Sequence, residues 1–232
     1  MGRFGRSWEL LKACFAVLRD DKELMLFPVL SGFSALLVLA TVSSFTPGPN
    51  TTLSTALAAN HGLRRAMRFV CAVPVGWGIL FALCATGLGG LVVAFPPVRW
   101  GIVTLGTGYL LWLASRLWQS GSLQQADSAK LQVGFVQGVG LQFLNIKAWM
   151  LALAIVAGWV AGREDATART LVLLPIMVAY GFVSNLTYAV AGSMLRHWLA
   201  HGRRLLIFNR CMSAALVATV LWMLNGLRQS AA

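Results

Sequence analysis

Six long apolar runs dominate the chain, and short polar segments separate them. The first run covers residues 24–60 and contains no charged side chain. The others are 69–95, 101–117, 133–161, 171–195 and 205–227. Each is long enough, or nearly so, for the roughly 20 residues that a helix needs to cross a bilayer. The pattern predicts an all-α integral membrane protein with six transmembrane helices.

The first run is interrupted by Thr46, Pro47, Gly48, Pro49 and Asn50. Proline lacks a backbone N–H and clashes with the preceding turn, so the helix should break there. We predict an interfacial segment at 24–30, joints at Pro28 and Gly32, and a crossing at 31–57 broken at 47–49. In lipid, carbonyls freed by a break are costly unless protein or a water-filled cavity satisfies them. A break at membrane depth therefore indicates a binding site.

The chain divides into an N-terminal extension, residues 1–23, and a six-span domain, residues 24–232. Apolar side chains recur in the extension at helical spacing, at Phe4, Trp8, Leu11, Phe15 and Leu18. This spacing predicts an amphipathic helix in the membrane interface; the alternative is a loosely packed tail. A polar linker, 119–131, separates halves of three spans each, about 24–118 and 132–232. Three spans per half predicts an inverted repeat, with a matching interruption early in the fourth span.

The fourth span carries such an interruption, Gln142 to Lys147. Lys147 is the charge that lies well inside an apolar run, and an intramembrane charge indicates function. The alternative is a lysine whose ammonium reaches the headgroups. Asn145, Gln142 and Asn185 of the fifth span either bind a zwitterionic substrate or link helices. Asn50 should cap the second half-helix, whose positive end suits a carboxylate.

Composition and charge narrow the function. Of the 232 residues 58% are hydrophobic and 11% charged, against about 25% charged in soluble domains. The net charge of +12 reflects basic loop residues such as Arg64, Arg65 and Arg68. We interpret them as residues that fix the orientation of the spans in the membrane. The alternative is a phosphate-binding or substrate-steering role. Loop charges place the Arg64 loop in the cytoplasm and both termini outside, although basic residues in 1–23 oppose this.

The sequence lacks the residue patterns typical of enzymes, ATP-driven transporters and metal sites. All acidic side chains lie outside the six runs, no ATP-binding loop is present, and the cysteines are scattered. We therefore predict no enzyme activity, no cofactor, no metal site and no nucleic-acid partner.

The chain resembles the LysE/RhtB superfamily of amino-acid exporters over about residues 42–227. The resemblance rests on the residues 46–50, 60–64 and 106–110 and on the Leu-Gln-Phe-Leu-Asn-Ile-Lys motif at 141–147, the last being similar to the cysteine/O-acetylserine exporter type. It implies a small six-span exporter of neutral or basic amino acids in the bacterial inner membrane, driven by the proton gradient. Two positions depart from the usual family pattern. Ile146 replaces a proline, which predicts a less sharp break, and Asn50 replaces an aspartate, which removes an obvious proton site.

Residues 1–40 resemble instead the opening of an unrelated, uncharacterised multi-span membrane family. The chain is therefore interpreted as a fusion with a seam near residues 37–41.

Together these patterns predict secondary-active export of cysteine, O-acetylserine or another small neutral amino acid. The substrate would bind among these residues: Thr46, Pro47, Gly48, Pro49, Asn50, Gln142, Asn145, Lys147 and Asn185. The alternatives are a membrane scaffold or assembly subunit that transports nothing and, less favoured, a passive channel. The expected partners are the amino acid and the lipid bilayer, and a homo-oligomer is left open.

Overall fold

The computed structural model describes residue 12 and residues 26–120 and 133–229, with side chains from residue 31 to 120 and 133 to 225. The helices are α1 (Leu26–Phe45), α2 (Pro49–His61), α3 (Leu63–Ala85), α4 (Leu88–Ala94), α5 (Pro96–Gln119), α6 (Phe135–Leu144), α7 (Ile146–Ile155), α8 (Ala166–Leu199) and α9 (Arg204–Gln229). A π-helical turn, Val156–Val160, continues α7. The predicted all-helical class is confirmed in this part of the chain.

Six candidate membrane spans arise from these helices. Three are single helices, α3, α8 and the 204–225 part of α9. The others are bent pairs, each counted as one span: α1 with α2, α4 with α5, and α6 with α7 and its π-helical turn. A broken span thus opens each predicted half and two more spans follow it. The inverted relation of the halves stays a prediction.

The chain forms two compact units, Met1–Val42 and Ser43–Ala232. In the first, the described part is Lys12, helical and exposed, and α1 up to Val42; the rest of the predicted amphipathic helix lies outside the described residues. The joints predicted at Pro28 and Gly32 are wrong, because α1 is continuous from Leu26. Pro28 is its third residue, where the missing N–H would have no partner inside the helix anyway.

The first span is broken where the sequence predicts, although its second helix extends to His61 and does not end near residue 57. Helix α1 ends at Phe45 and α2 begins at Pro49. The next boundary differs from the prediction, since the apolar run 69–95 is not one span. Helix α3 ends at Ala85, Gly87 adopts a left-handed conformation with φ of 94°, and α4 joins α5 at an angle of 94°. A turn at a glycine cannot be recognised from the hydrophobicity pattern, because glycine adopts positive φ readily and does not interrupt an apolar run.

Helix α3 lies at the centre of the second unit and packs against α2, α6, α7 and α8. Its contact with α6 depends on small residues. A Cβ on Gly76 would lie 2.7 Å from the Val139 carbonyl oxygen, and one on Gly138 would lie 2.7 Å from the Ala72 Cβ. Small residues at these positions therefore let the two backbones approach closely.

The structure describes the turn before α8 but not most of the linker before α6. Residues 121–132, most of the predicted linker, lie outside the described residues. The turn before α8 is described, and there Arg169 Nε donates to Asp165 Oδ1 at 2.7 Å. This hydrogen bond lowers the pKa of the exposed Asp165 carboxyl below its ordinary value.

Candidate functional site

A small cavity lies where the two broken spans meet. Its volume is about 70 Å³, far below the 300–1,000 Å³ typical of drug-sized ligand pockets. The lining side chains come from five helices and the two breaks: Ser43, Ser44, Thr46, Gly48, Pro49, Asn50, Thr51, Val73, Pro74, Trp77, Asn145, Lys147, Ala148, Leu151, Met177, Gly181 and Asn185. A space of this size accommodates a few water molecules or a very small solute.

Two carbonyl groups at the end of α1 accept hydrogen bonds from side chains of α8. The Ser184 hydroxyl donates to the Ser44 carbonyl oxygen, and the Tyr188 hydroxyl donates to the Phe45 carbonyl oxygen at 2.8 Å. Helix-terminal carbonyls have no intrahelical partner and cannot be left bare in a membrane. Protein groups therefore stabilise the first break.

The start of α2 uses a different cap from the one predicted. Gly48 is the N-cap residue; its N–H donates to Thr51 Oγ1 at 2.9 Å, and the Thr51 hydroxyl approaches the Gly48 carbonyl oxygen at 3.1 Å. The prediction that Asn50 caps this helix is wrong. Pro49 takes the first helical position, which its fixed φ favours, so Asn50 is already inside the helix and its side chain is available for another contact.

That contact joins the two broken spans. Asn50 Nδ2 donates to Gln142 Oε1 at 2.8 Å, and Gln142 Nε2 donates back to Asn50 Oδ1 at 3.2 Å. Gln142 Nε2 also lies 3.1 Å from the Gly138 carbonyl oxygen. Gln142 is fully buried at 0% exposure and does not line the cavity, whereas Asn50 does. Gln142 therefore holds the Asn50 side chain in place at the cavity without bordering the cavity itself.

The second break occurs at Asn145. Its backbone is extended, with φ of −92° and ψ of 103°, and its Oδ1 accepts a hydrogen bond from the Lys147 N–H at 3.1 Å. Asparagine is a favoured N-cap, so α7 starts here although Ile146 stands where a proline would force the break. The axes on the two sides differ by 68°, so the break is pronounced without proline.

Lys147 links this second break to the first. Its ammonium donates to the Thr46 carbonyl oxygen at 2.9 Å, just beyond α1. A Cβ on Gly48 would lie 3.3 Å from Lys147 Nζ, so the ammonium also lies beside the N-cap of α2. Cations are favoured near the carboxyl end of a helix. The side chain thus points to the first break.

Asn185 connects α8 to α2. Its Oδ1 accepts from the Ser54 hydroxyl at 2.9 Å, and its Nδ2 donates to the Gly181 carbonyl oxygen at 2.8 Å. The amide is 4% exposed and still borders the cavity. Asn185 therefore links two helices and also borders the cavity, and substrate binding by its amide stays a prediction.

The structure brings most of the predicted site together. Seven of the nine predicted residues line the cavity, and the exceptions are Pro47 and Gln142. The sequence reasoning missed apolar lining residues, of which Trp77 is the largest. Its Nε1 donates to the Ala148 carbonyl oxygen at 3.3 Å and its ring stacks on Phe81 with centroids 5.2 Å apart. Trp77 could not be recognised from the sequence, because nothing distinguishes it from the other tryptophans of the apolar runs.

Comparison with known proteins decides the family. The model of the LysE type translocator family matches residues 41–224. The chain belongs to this family. It is therefore a translocator rather than an enzyme, and a multi-pass membrane protein. The match starts at residue 41, beside the fusion boundary predicted near residues 37–41. The fusion itself stays a prediction.

Three relatives of this translocator share one description. A "cysteine/O-acetylserine efflux protein" of Klebsiella pneumoniae is 32% identical over 79% of this chain and 92% of its own length. Proteins with the same description from Salmonella typhimurium and Escherichia coli K12 are 28% and 27% identical over 74% of this chain and 88% of theirs. The resemblance identified from the sequence is confirmed. No solved structure matches the translocator.

Proposed function

We propose that this translocator exports small neutral amino acids of the cysteine and O-acetylserine type across the bacterial inner membrane. Amino-acid export agrees with the family and with the descriptions of its relatives. The observation that carries the proposal is the cavity, in which the carboxyl end of one half-helix and the amino end of another meet.

The two helix ends match the two charges of an α-amino acid. The last turn of α1 contributes Ser43, Ser44 and then Thr46 to the cavity, and the first turn of α2 contributes Pro49 and Asn50. Carbonyl groups give the first end partial negative charge, and N–H groups give the second partial positive charge. The substrate ammonium would bind toward α1, and its carboxylate toward α2.

Lys147 would provide the second positive group for the carboxylate. Its ammonium lies at the junction of α1 and α2, and among the described residues that line the cavity it is the only ionisable one. We propose that it also exchanges the proton that couples export to the proton gradient, since the carboxylates at Glu164 and Asp165 lie outside the spans.

The remaining walls would restrict substrate size. Trp77, Leu151 and Met177 border the cavity, and its volume of about 70 Å³ leaves room for a short side chain only. Leucine and larger substrates would require these side chains to move.

The test is export from proteoliposomes preloaded with cysteine, O-acetylserine, leucine or lysine, with and without a pH gradient. We expect export of the first two that accelerates when the outside is more acidic than the interior. A non-transporting scaffold would export none, and a passive channel would release several solutes regardless of the gradient; either outcome contradicts the proposal.

Lys147→Met tests the assigned residue. A hydrogen bond to a charged group contributes about 1.5–3 kcal/mol, so we expect kcat/KM for cysteine export to fall at least tenfold. Arg203→Met, at an exposed position, is the matched control and should retain export. Full export by Lys147→Met would show that the lysine only caps α1.

A further inference from the structure

A second cavity lies away from the site described above, where α2 ends and α3 and α6 begin. Its volume is about 920 Å³. The lining residues are Leu57, His61, Arg64, Arg65, Ala66, Arg68, Val133, Gly134, Phe135, Val136 and Gln137. None of them lines the smaller cavity.

Three arginines give this cavity a strong positive charge. Arg64, Arg65 and Arg68 fall on the first two turns of α3, and all are exposed. Like charges on adjacent turns repel each other. A bound anion would relieve this repulsion.

The amino end of a helix forms another part of the cavity wall. Helix α6 has ten residues and begins after Gly134. The N–H groups of Phe135, Val136 and Gln137 have no intrahelical acceptor at this end, while the Gln137 side chain binds the Gly134 N–H at 2.8 Å. A helix amino end with arginines facing the same cavity suits a phosphate in particular, since guanidinium groups and backbone N–H groups both donate to its oxygens.

The border of the cavity is apolar and open. Val136 is 80% exposed and Phe135 is 42% exposed, directly beside the amino end of α6. An exposed apolar border next to a basic cavity matches a ligand with an anionic head and hydrocarbon chains. A free phosphate ion would make no use of this border.

We propose that this cavity binds the headgroup phosphate of an anionic phospholipid, with the acyl chains against Phe135 and Val136. The arginines contact the phosphate oxygens, and the first-turn N–H groups of α6 complete the site. Basic pockets between transmembrane helices on the cytoplasmic side are suited to such headgroups, and loop charges predict that side for this cavity. The proposal is independent of the transported substrate.

The test is native mass spectrometry of the purified full-length protein with phosphatidylglycerol, phosphatidylcholine or inorganic phosphate at matched concentrations. We expect retained phosphatidylglycerol and little retention of the other two. Arg64→Gln/Arg68→Gln should weaken phosphatidylglycerol binding by about 25-fold, taking about fivefold for each arginine near a membrane surface. The matched control, Arg163→Gln/Arg203→Gln, removes two exposed charges elsewhere and should change binding less than twofold.

Each alternative outcome contradicts the proposal. Equal retention of phosphatidylcholine would exclude recognition of an anionic headgroup. Strong binding of inorganic phosphate alone would assign the cavity to a soluble phosphate compound. Equal weakening by the control variant would assign the effect to net charge. Circular dichroism and gel filtration should show that both double variants remain folded; if Arg64→Gln/Arg68→Gln does not fold, Arg68→Lys replaces it, with a smaller loss of binding expected.

Discussion

The reciprocal amide pair between Asn50 and Gln142 allows a quantitative test of how the two broken spans are held together. The perturbations are Asn50→Leu, Gln142→Met and the double variant. Asn50→Leu leaves Oε1 of the fully buried Gln142 without its donor, whereas Gln142→Met leaves an asparagine that borders a cavity open to small solutes. The double variant removes both polar groups together.

The expected coupling follows from the two hydrogen bonds between the side chains, at 2.8 and 3.2 Å. Interhelical hydrogen bonds in membranes average about 0.6 kcal/mol each, which gives about 1.2 kcal/mol for the pair. Asn50→Leu alone should lower the free energy of unfolding by about 1–3 kcal/mol, because the Gln142 amide stays desolvated. The double variant should be more stable than the sum of the single effects predicts, by about 1–2 kcal/mol.

The assay is reversible unfolding in mixed micelles of fixed composition, followed by circular dichroism for all four proteins. A control cycle pairs Asn50→Leu with Ser115→Ala, whose hydroxyl donates to Trp112 of its own helix; those effects should add. Additivity of the Asn50 and Gln142 effects within about 0.3–0.5 kcal/mol, the usual limit for independent sites, would refute the linkage of the two breaks through this pair.

Three further predictions concern helix contacts and substrate size. Gly76→Ala places a methyl group 2.7 Å from the Val139 carbonyl oxygen, and this overpacking should cost about 1–3 kcal/mol of stability in the same unfolding assay. Asn209→Leu removes two bonds to Asn60, at 2.8 and 3.0 Å, and leaves that buried amide short of partners, so a loss of about 2–3 kcal/mol is expected. Trp77→Ala should raise export of leucine relative to cysteine, measured in proteoliposomes, because the indole borders the small cavity.

Controls separate these effects from general damage. A Cβ on Gly108 meets nothing within 4 Å, so Gly108→Ala should be neutral or slightly stabilising; equal losses at both glycines would contradict the close-approach argument. A stable Asn209→Leu protein would mean that the amide pair contributes little. An unchanged leucine-to-cysteine ratio in Trp77→Ala would show that the indole does not limit substrate size.

The sequence located most of the predicted residues that line the small cavity wherever a residue type interrupts an apolar run. Pro47 and Pro49 marked the first break, and Asn145 and Lys147 marked the second, because proline and polar groups are rare in a bilayer and require compensation. The prediction failed where residues fit several conformations. Pro28 is compatible with the first turn of a helix, and the Gly87 turn lies inside an uninterrupted apolar run.

The partners of these marked residues could not be predicted from spacing. Asn50 was expected to cap α2, yet Pro49 fixes where that helix starts, and the amide instead pairs with Gln142. Lys147 was expected either to bind substrate or to reach the headgroups; its ammonium points to the first break and donates to the Thr46 carbonyl oxygen, and substrate binding stays a prediction. Which polar group faces which depends on helix rotation and close packing, and these are set by small residues distant in sequence.

The sequence by itself determined that the protein lies in a membrane, the approximate number of spans, and the breaks in the first and fourth spans. These properties follow from local chemistry, namely the hydrophobicity of each run and the backbone limits of proline. Only the tertiary structure decided that the breaks in the first and fourth spans meet, that the end of α1 and the start of α2 border one cavity, and that three arginines line one cavity with the amino end of α6. Those relations depend on how the helices of residues 43–229 pack, with backbones brought together at Gly76 and Gly138.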